Sequence, residues 1–131
     1  MGRVFFNTRK NVHTLTGNYT VLASDSGKVF MLNSAGGAFA VTLPTLEAGL
    51  MYKFISSDTT ADVTVSSSTA DIDIVGLDSE TDVGFSGAGT AKTNIIFELA
   101  GHKSQYVNLY CDGTSWYAEG MASVNDGITF V

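Results

Sequence analysis

The chain has 131 residues, a net charge of −6 and a single cysteine. A chain of this length can bury a hydrophobic core without disulfides or a structural metal, so we expect one domain. The acidic charge argues against nucleic acid as a partner of that domain, and no apolar run has the length of a membrane helix.

Residues 1–13 are predicted to form an N-terminal arm that precedes a folded domain at residues 14–131. The arm carries three basic side chains and no acidic one, whereas the rest of the chain carries a charge of −9. Such a segment suits an acidic partner surface, and its apolar run is too short for a signal peptide, which predicts synthesis in the cytoplasm. The candidate contact residues are Arg3, Phe5, Phe6, Arg9 and Lys10. The alternatives are an ordinary mobile terminus and a first strand of the domain at residues 4–6.

Helical periodicity is absent after the arm, and β-branched and aromatic residues dominate, which predicts an all-β fold. Nine candidate strands follow one another at close spacing, with a tenth at the C-terminus. They are residues 19–24, 28–33, 39–43, 50–56, 63–67, 72–75, 94–99, 106–111, 115–119 and 127–131. Short strands at this spacing predict a single-domain antiparallel β-sandwich or a jelly-roll-like barrel.

The only proline of the chain separates two of these strands. Pro44 has no amide hydrogen, so the strand before it must stop there, and the next strand begins after Gly49. Alternation along that second strand places Leu50, Tyr52 and Phe54 on one face and Met51, Lys53 and Ile55 on the other. The stretch therefore predicts a strand, a short loop and a second strand with one apolar face.

Polar segments between the strands predict turns and loops. Residues 25–27, 34–37 and 112–113 supply small residues and residues that tolerate positive φ, so each suits a hairpin. Residues 57–71 and 76–92 are rich in Ser, Thr, Asp and Gly, which predicts surface loops or edge strands.

Motifs for metal binding and catalysis are incomplete. The acidic run at residues 78–82 has the spacing of a calcium loop, but Val83 stands where an EF-hand needs glycine and Gly89 stands where it needs glutamate. Residues 86–93 lack both glycines of a phosphate-binding loop. The two histidines are too few for a typical zinc site, and no serine or cysteine is visibly paired with either. We therefore predict no enzymatic activity, no cofactor and no bound metal.

Aromatic side chains near the C-terminus are the remaining functional signal. Tyr106, Asn108 and Tyr110 share one face of a predicted strand, and Trp116 and Tyr117 follow the next turn. An exposed patch of this composition is typical of a protein interface or a sugar-binding surface. Tyr106, Tyr110, Trp116 and Tyr117 are therefore candidates for a subunit interface. The alternative is that these rings cover a second packed face of the sandwich.

Three stretches resemble small β-structured proteins of tailed-bacteriophage virions. They are YTVLASDSGKVFMLNSAGGAFAVTLP, GLMYKF and CDGTSWYAEG, within a pattern that spans about residues 15–120. Similar patterns occur in capsid decoration (cement) proteins and in fibre or spike domains. A compact chain without a fibrous shaft favours a decoration protein.

The resemblance implies a structural protein that binds the major capsid protein on the outer surface of the virion. Such proteins are commonly trimers, are made in the host cytoplasm, and stabilise the shell against packaged DNA without contacting nucleic acid or membrane. The alternative that the resemblance implies is a receptor-binding or tail-fibre tip module. That module would hold a host-surface glycan with its tyrosines and the loops at residues 57–62 and 76–92.

Overall fold

The computed structural model describes residues 11–69, 71–78 and 89–131, with the backbone alone for residues 74–78. Two β-sheets pack face to face around a shared hydrophobic core, which confirms the predicted all-β sandwich. The helical content of the described residues is one 3-10 turn at Ala23–Asp25. The acidic run of the candidate calcium loop lies outside the described residues from residue 79 onward.

Twelve strands are present in the described part of the chain. They are β1 Val12–Leu15, β2 Tyr19–Thr20, β3 Val29–Leu32, β4 Phe39–Thr42, β5 Met51–Ser56, β6 Val63–Ser66, β7 Ile72–Asp78, β8 Gly89–Lys92, β9 Asn94–Phe97, β10 Tyr106–Cys111, β11 Trp116–Ala122 and β12 Ile128–Phe130. The seven-stranded sheet has the order β1-β3-β5-β10-β11-β7-β8, and the five-stranded sheet has the order β12-β9-β6-β4-β2.

The first six strands wind as a coil that alternates between the two sheets. Strands β1, β3 and β5 pair in parallel in one sheet, and β2, β4 and β6 pair in parallel in the other. Of the ten strand pairings in the described residues, five are parallel, so the sheets are mixed where the sequence predicts antiparallel ones. Each strand buries one face in either arrangement, and the hydrophobic pattern therefore cannot distinguish them.

One of the three predicted hairpins forms. The turn at residues 112–113 joins β10 to β11, which pair antiparallel. The turns at residues 25–27 and 34–37 instead carry the chain from one sheet to the other, because the strands on either side of each turn belong to different sheets. Small residues and residues that tolerate positive φ suit a hairpin and a crossing between sheets equally, because both need a sharp turn of the backbone. The sequence of a turn therefore does not show which sheet the chain enters next.

Two strands lie where the sequence predicts an arm or a loop. Strand β1 is the edge of the seven-stranded sheet, with Val12 paired to Val29, so residues 12–13 of the predicted arm belong to the sheet. Residues 1–10 lie outside the described residues. Strand β8, within residues 76–92, forms the opposite edge and agrees with the edge-strand alternative for that segment.

The core lies between the sheets and is built by alternation along each strand. Strand β5 buries Tyr52 and Phe54 and turns Met51, Lys53 and Ile55 outward, as the sequence predicts. The ring of Phe54 stacks on that of Phe30 at a centroid distance of 5.4 Å. These inward side chains hold the outward ones of the same strand in a fixed register, because successive residues project from opposite faces.

An ion pair between a buried carboxylate and a half-buried lysine stabilises the second crossing between the sheets, from β2 to β3. Asp25 is 4% exposed. Its carboxylate accepts from Lys28 Nζ at 2.7 Å, Tyr19 Oη at 2.9 Å and the Leu22 amide at 3.0 Å. Burial alone would raise the pKa of this carboxyl, but these hydrogen bonds outweigh it and hold the pKa below the ordinary value of 3.8.

We expect Asp25→Asn to destabilise the fold by about 2 kcal/mol, because a buried charge-assisted hydrogen bond is lost beside Lys28. A carboxyl with a lowered pKa stabilises the fold above its unfolded-state pKa, and that stabilisation is lost as the pH falls through the folded-state value. The variant should therefore lose less stability than the parent chain between about pH 5 and pH 2. Urea denaturation at each pH measures this effect. The control is Glu47→Gln at an exposed site, and an acid dependence unchanged by Asp25→Asn would contradict the assignment.

Candidate interaction surface

The outward side chains of the seven-stranded sheet form three rows that run across its strands. The registers of β3, β5, β10 and β11 place these side chains directly opposite one another. The first apolar row contains Met31, Ile55, Tyr106 and Met121. The second apolar row contains Met51, Tyr110 and Tyr117. Between them lies the polar row of Lys53, Asn108 and Glu119. We refer to these three rows together as the outer face.

Four side chains of the apolar rows are open to solvent, and the other three are half-buried. Met51, Tyr110, Tyr117 and Met121 are each between 43% and 47% exposed. Of the eight large hydrophobic side chains that are exposed among the described residues, these four and Val12 of β1 project from this side of the sheet. A concentration of large apolar side chains on one side of a small domain is typical of an interaction site.

The polar row is ordered by contacts within the outer face. Asn108 Nδ2 donates to Glu119 Oε1 at 2.5 Å. Lys53 Nζ lies 4.6 Å from the ring centroid of Tyr106, which is within the range of a cation–π contact. Lys53 forms no ion pair with a carboxylate among the described residues. Its ammonium group therefore remains available to a carboxylate of a partner.

Gly120 permits the close approach of β11 to β10 that sets this register. A Cβ atom at residue 120 would lie 2.1 Å from the carbonyl oxygen of Tyr106. Only glycine fits such an approach without moving the backbone. The positions of Glu119 and Met121 opposite Asn108 and Tyr106 depend on this contact.

Tyr117 is held in place by the hairpin turn. Its hydroxyl donates to Asp112 Oδ2 at 3.1 Å, which raises the pKa of the tyrosine. The other oxygen of Asp112 accepts from the amides of Thr114 and Ser115 at 2.8 and 2.9 Å. These backbone hydrogen bonds lower the pKa of Asp112 to about 2. The exposed ring is therefore pre-positioned, which reduces the entropy lost when it is covered.

A shallow hollow of about 350 Å³ lies beside Tyr110 and Tyr117. The remaining lining residues come from β7, β8 and β11: Asp73, Gly89, Thr90, Ala118 and Glu119. Its exposed lining is almost entirely apolar, although Asp73 and Glu119 contribute to it, so it can receive a ligand that has an apolar face.

The opposite side of the sandwich has a different composition. The registers of β2, β4, β6, β9 and β12 identify the outward residues of the five-stranded sheet. They are Thr20, Ala40, Thr42, Thr64, Ser66, Asn94, Ile96 and Thr129. Small hydroxyl-bearing side chains predominate, which is typical of a solvated face.

Three of the four predicted interface residues converge on the outer face, and one does not. Tyr106, Tyr110 and Tyr117 project from it. Trp116 is 0% exposed and lies in the core, 5.9 Å from the ring of Tyr52, so its assignment to an exposed interface is wrong. Adjacent residues of a strand point to opposite faces, and Trp116 and Tyr117 therefore cannot share one surface. The arm candidates, namely Arg3, Phe5, Phe6, Arg9 and Lys10, lie outside the described residues.

Sequence reasoning missed the residues that complete the outer face. Met51 and Lys53 were placed correctly on the outward side of their strand, but no functional role was assigned to them. Met31, Glu119 and Met121 were not assigned either. These residues become neighbours only through strand pairing, so they can be recognised as one surface only when the strand order is known.

The described residues contain no cluster of three or more His, Cys, Asp or Glu side chains that could hold a metal ion. No helix in that part of the chain is long and apolar enough to cross a membrane.

Comparison with known proteins found no similar protein. No family model, no curated protein and no solved structure matches this chain.

We expect substitution of two adjacent residues in β11 to have opposite consequences. Trp116→Ala should destabilise the fold by about 3–5 kcal/mol, because it leaves a large cavity in the core. Tyr117→Ala should cost less than about 1 kcal/mol, because its ring is exposed. Urea denaturation followed by circular dichroism gives both values. Equal losses of stability would contradict the inward and outward assignment.

Proposed function

We propose that this chain is a structural protein of a tailed-bacteriophage virion, a decoration protein that binds the outer capsid shell. The observation that carries the proposal is the ordered, exposed outer face of the seven-stranded sheet. The resemblance of residues 15–120 to virion β-domains supports the assignment to a phage virion. A surface of this kind performs its function by contact and needs no chemical reaction.

The proposed mechanism is stabilisation by mass action. A protein that binds the assembled shell and not its dissociated subunits shifts the equilibrium toward the shell. Rigidity favours this role, because both sheets share one core and the outward side chains are held in register before binding. Little conformational entropy is then lost when a partner covers the outer face.

The proposal assigns one contact to each of two surfaces. The arm residues, namely Arg3, Phe5, Phe6, Arg9 and Lys10, contact the major capsid protein. The outer face, with Tyr106, Tyr110 and Tyr117, contacts a neighbouring copy of the chain. Aromatic side chains are suited to both contacts because they bury large areas at low entropic cost. Virion localisation on the outer capsid surface follows from this arrangement.

We expect the chain to bind, saturably, to shells of its source phage that were assembled without it, and to raise their melting temperature. Sedimentation and calorimetry measure the two effects. Phe5→Ala combined with Phe6→Ala in the full chain should weaken shell binding about tenfold or more with the domain's melting temperature unchanged. The matched control is Leu22→Ala, which removes a side chain that is 55% exposed.

Two results would contradict this assignment. A large fall in the melting temperature of the Phe5 and Phe6 variant would place residues 4–6 in the core of the domain. Cryo-EM density for the chain on the tail instead of the capsid would contradict the decoration role itself.

A second candidate function is a receptor-binding or tail-fibre module that holds a host-surface glycan. The hollow beside Tyr110 and Tyr117 favours it, since aromatic rings pack against the apolar faces of sugars. The carboxylates of Asp73 and Glu119 at the same hollow are hydrogen-bond acceptors for sugar hydroxyls.

For this second candidate, we expect host-surface polysaccharide to bind the chain with an affinity that Tyr110→Ala lowers about tenfold. The control is Thr42→Ala, on the opposite side of the sandwich. Isothermal titration calorimetry measures both variants. Equal affinity in the parent chain and in Tyr110→Ala would exclude the hollow as a glycan site.

A further inference from the structure

The polar row of the outer face is electrically asymmetric. Lys53 on β5 is directly opposite Asn108 on β10, and Asn108 is directly opposite Glu119 on β11. Neighbouring strands are about 4.8 Å apart, so a positive and a negative charge flank β10 at about equal distances. These are the only two charged residues within the three rows, which therefore carry no net charge; Asp73 on β7, directly opposite Tyr117, lies just beyond the second row.

Neutrality matters because the chain as a whole carries a charge of −6. Two acidic molecules repel each other over most of their surfaces. The outward residues of the five-stranded sheet are also uncharged, but only the outer face combines the absence of net charge with exposed methionine and tyrosine side chains that a second copy could cover.

We propose that the partner of the outer face is a second copy of this chain, related by a two-fold axis that runs along β10. Such an axis exchanges the two sides of the strand. Lys53 of each copy then faces Glu119 of the other, and two reciprocal ion pairs form. The contact is isologous, which is the commonest symmetry of soluble homo-oligomers.

The same operation matches the apolar rows. Ile55 comes to face Met121, and Met51 comes to face Tyr117, while Tyr106 and Tyr110 each face their own copy. Apolar side chains therefore meet apolar side chains on β5, β10 and β11. Aligned sheets pack about 10 Å apart with their strands within about 30° of each other. Residues one strand away from the axis are displaced little by this rotation.

Charge excludes the other in-plane axis. A two-fold axis that runs across the strands would place Lys53 over Lys53 and Glu119 over Glu119. Like charges in direct opposition are destabilising. The asymmetry of the polar row thus selects one orientation of the partner and disfavours the other.

The size of the outer face predicts the strength of the contact. Four strands about 4.8 Å apart and three rows about 7 Å apart form a patch roughly 20 Å on each side. This patch is smaller than the roughly 800 Å² per partner of a standard interface. We therefore expect a dimer with a micromolar dissociation constant. This inference rests on the proposed function, in which the outer face contacts a neighbouring copy, but it assigns two-fold symmetry where the resemblance implies a trimer.

The experiment is sedimentation equilibrium of the full chain from about 5 to 500 µM. The expected mass rises from 13.8 kDa toward twice that value with concentration. Lys53→Glu and Glu119→Lys should each raise the dissociation constant about tenfold or more, because each places like charges opposite one another. The double variant Lys53→Glu with Glu119→Lys should restore dimerisation. Thr42→Glu on the opposite side of the sandwich controls for an added negative charge and should leave the dimer unchanged apart from weak general repulsion.

Thermal denaturation of every variant verifies that it is folded. A monomer throughout the concentration range, a trimer, or a double variant as weak as the single ones would overturn the proposal. Shell binding by the same samples separates the two proposals. A dimer that binds no shell contradicts the decoration role alone, whereas a shell-binding chain that stays monomeric in solution and is unaffected by the charge changes contradicts the two-fold contact alone.

Discussion

Strict alternation of inward and outward side chains is the constraint on which the whole structure depends. Every long strand contributes to one shared core, so each inward residue fixes where its outward neighbours project. Strand β10 shows this dependence: Val107 and Leu109 are fully buried, and the residues between and beside them form the middle of the outer face. The core therefore positions the outer face. A change of register by one residue would turn the buried side chains outward and the outward side chains into the core.

The coil formed by the first six strands adds a second constraint. Parallel neighbours cannot be joined by a tight hairpin, so the chain must cross to the other sheet after each strand. Backbone groups in the crossings do not pair within one sheet. At the second crossing, the buried Asp25 carboxylate accepts an amide hydrogen bond from Leu22 and pairs with Lys28, so the buried charge has partners. The ion pair therefore stabilises a connection and takes no part in the outer face.

The difference between the two solvent-facing sides connects the fold to function. The five-stranded sheet presents mostly small hydroxyl-bearing residues, whereas the seven-stranded sheet presents methionines and tyrosines. Both sheets bury their inner faces equally well, so core stability does not require this asymmetry. The proposed contact with a partner accounts for it. The turn at Asp112 and the close approach at Gly120 then hold Tyr117, Glu119 and Met121 in the positions that such a contact needs.

Local pattern by itself determined the fold class, most strand positions and the two faces of β5 and β10, because alternation is encoded within each strand. It missed β1, whose exposed Val12 and Thr14 interrupt the apolar pattern, and it left β8, which has no buried side chain, undecided between a loop and an edge strand. Tertiary structure alone decided the parallel coil, the burial of Trp116 and the assembly of the outer face. These features depend on which strands become neighbours, and that choice is made by contacts between residues far apart in sequence, which no local pattern records.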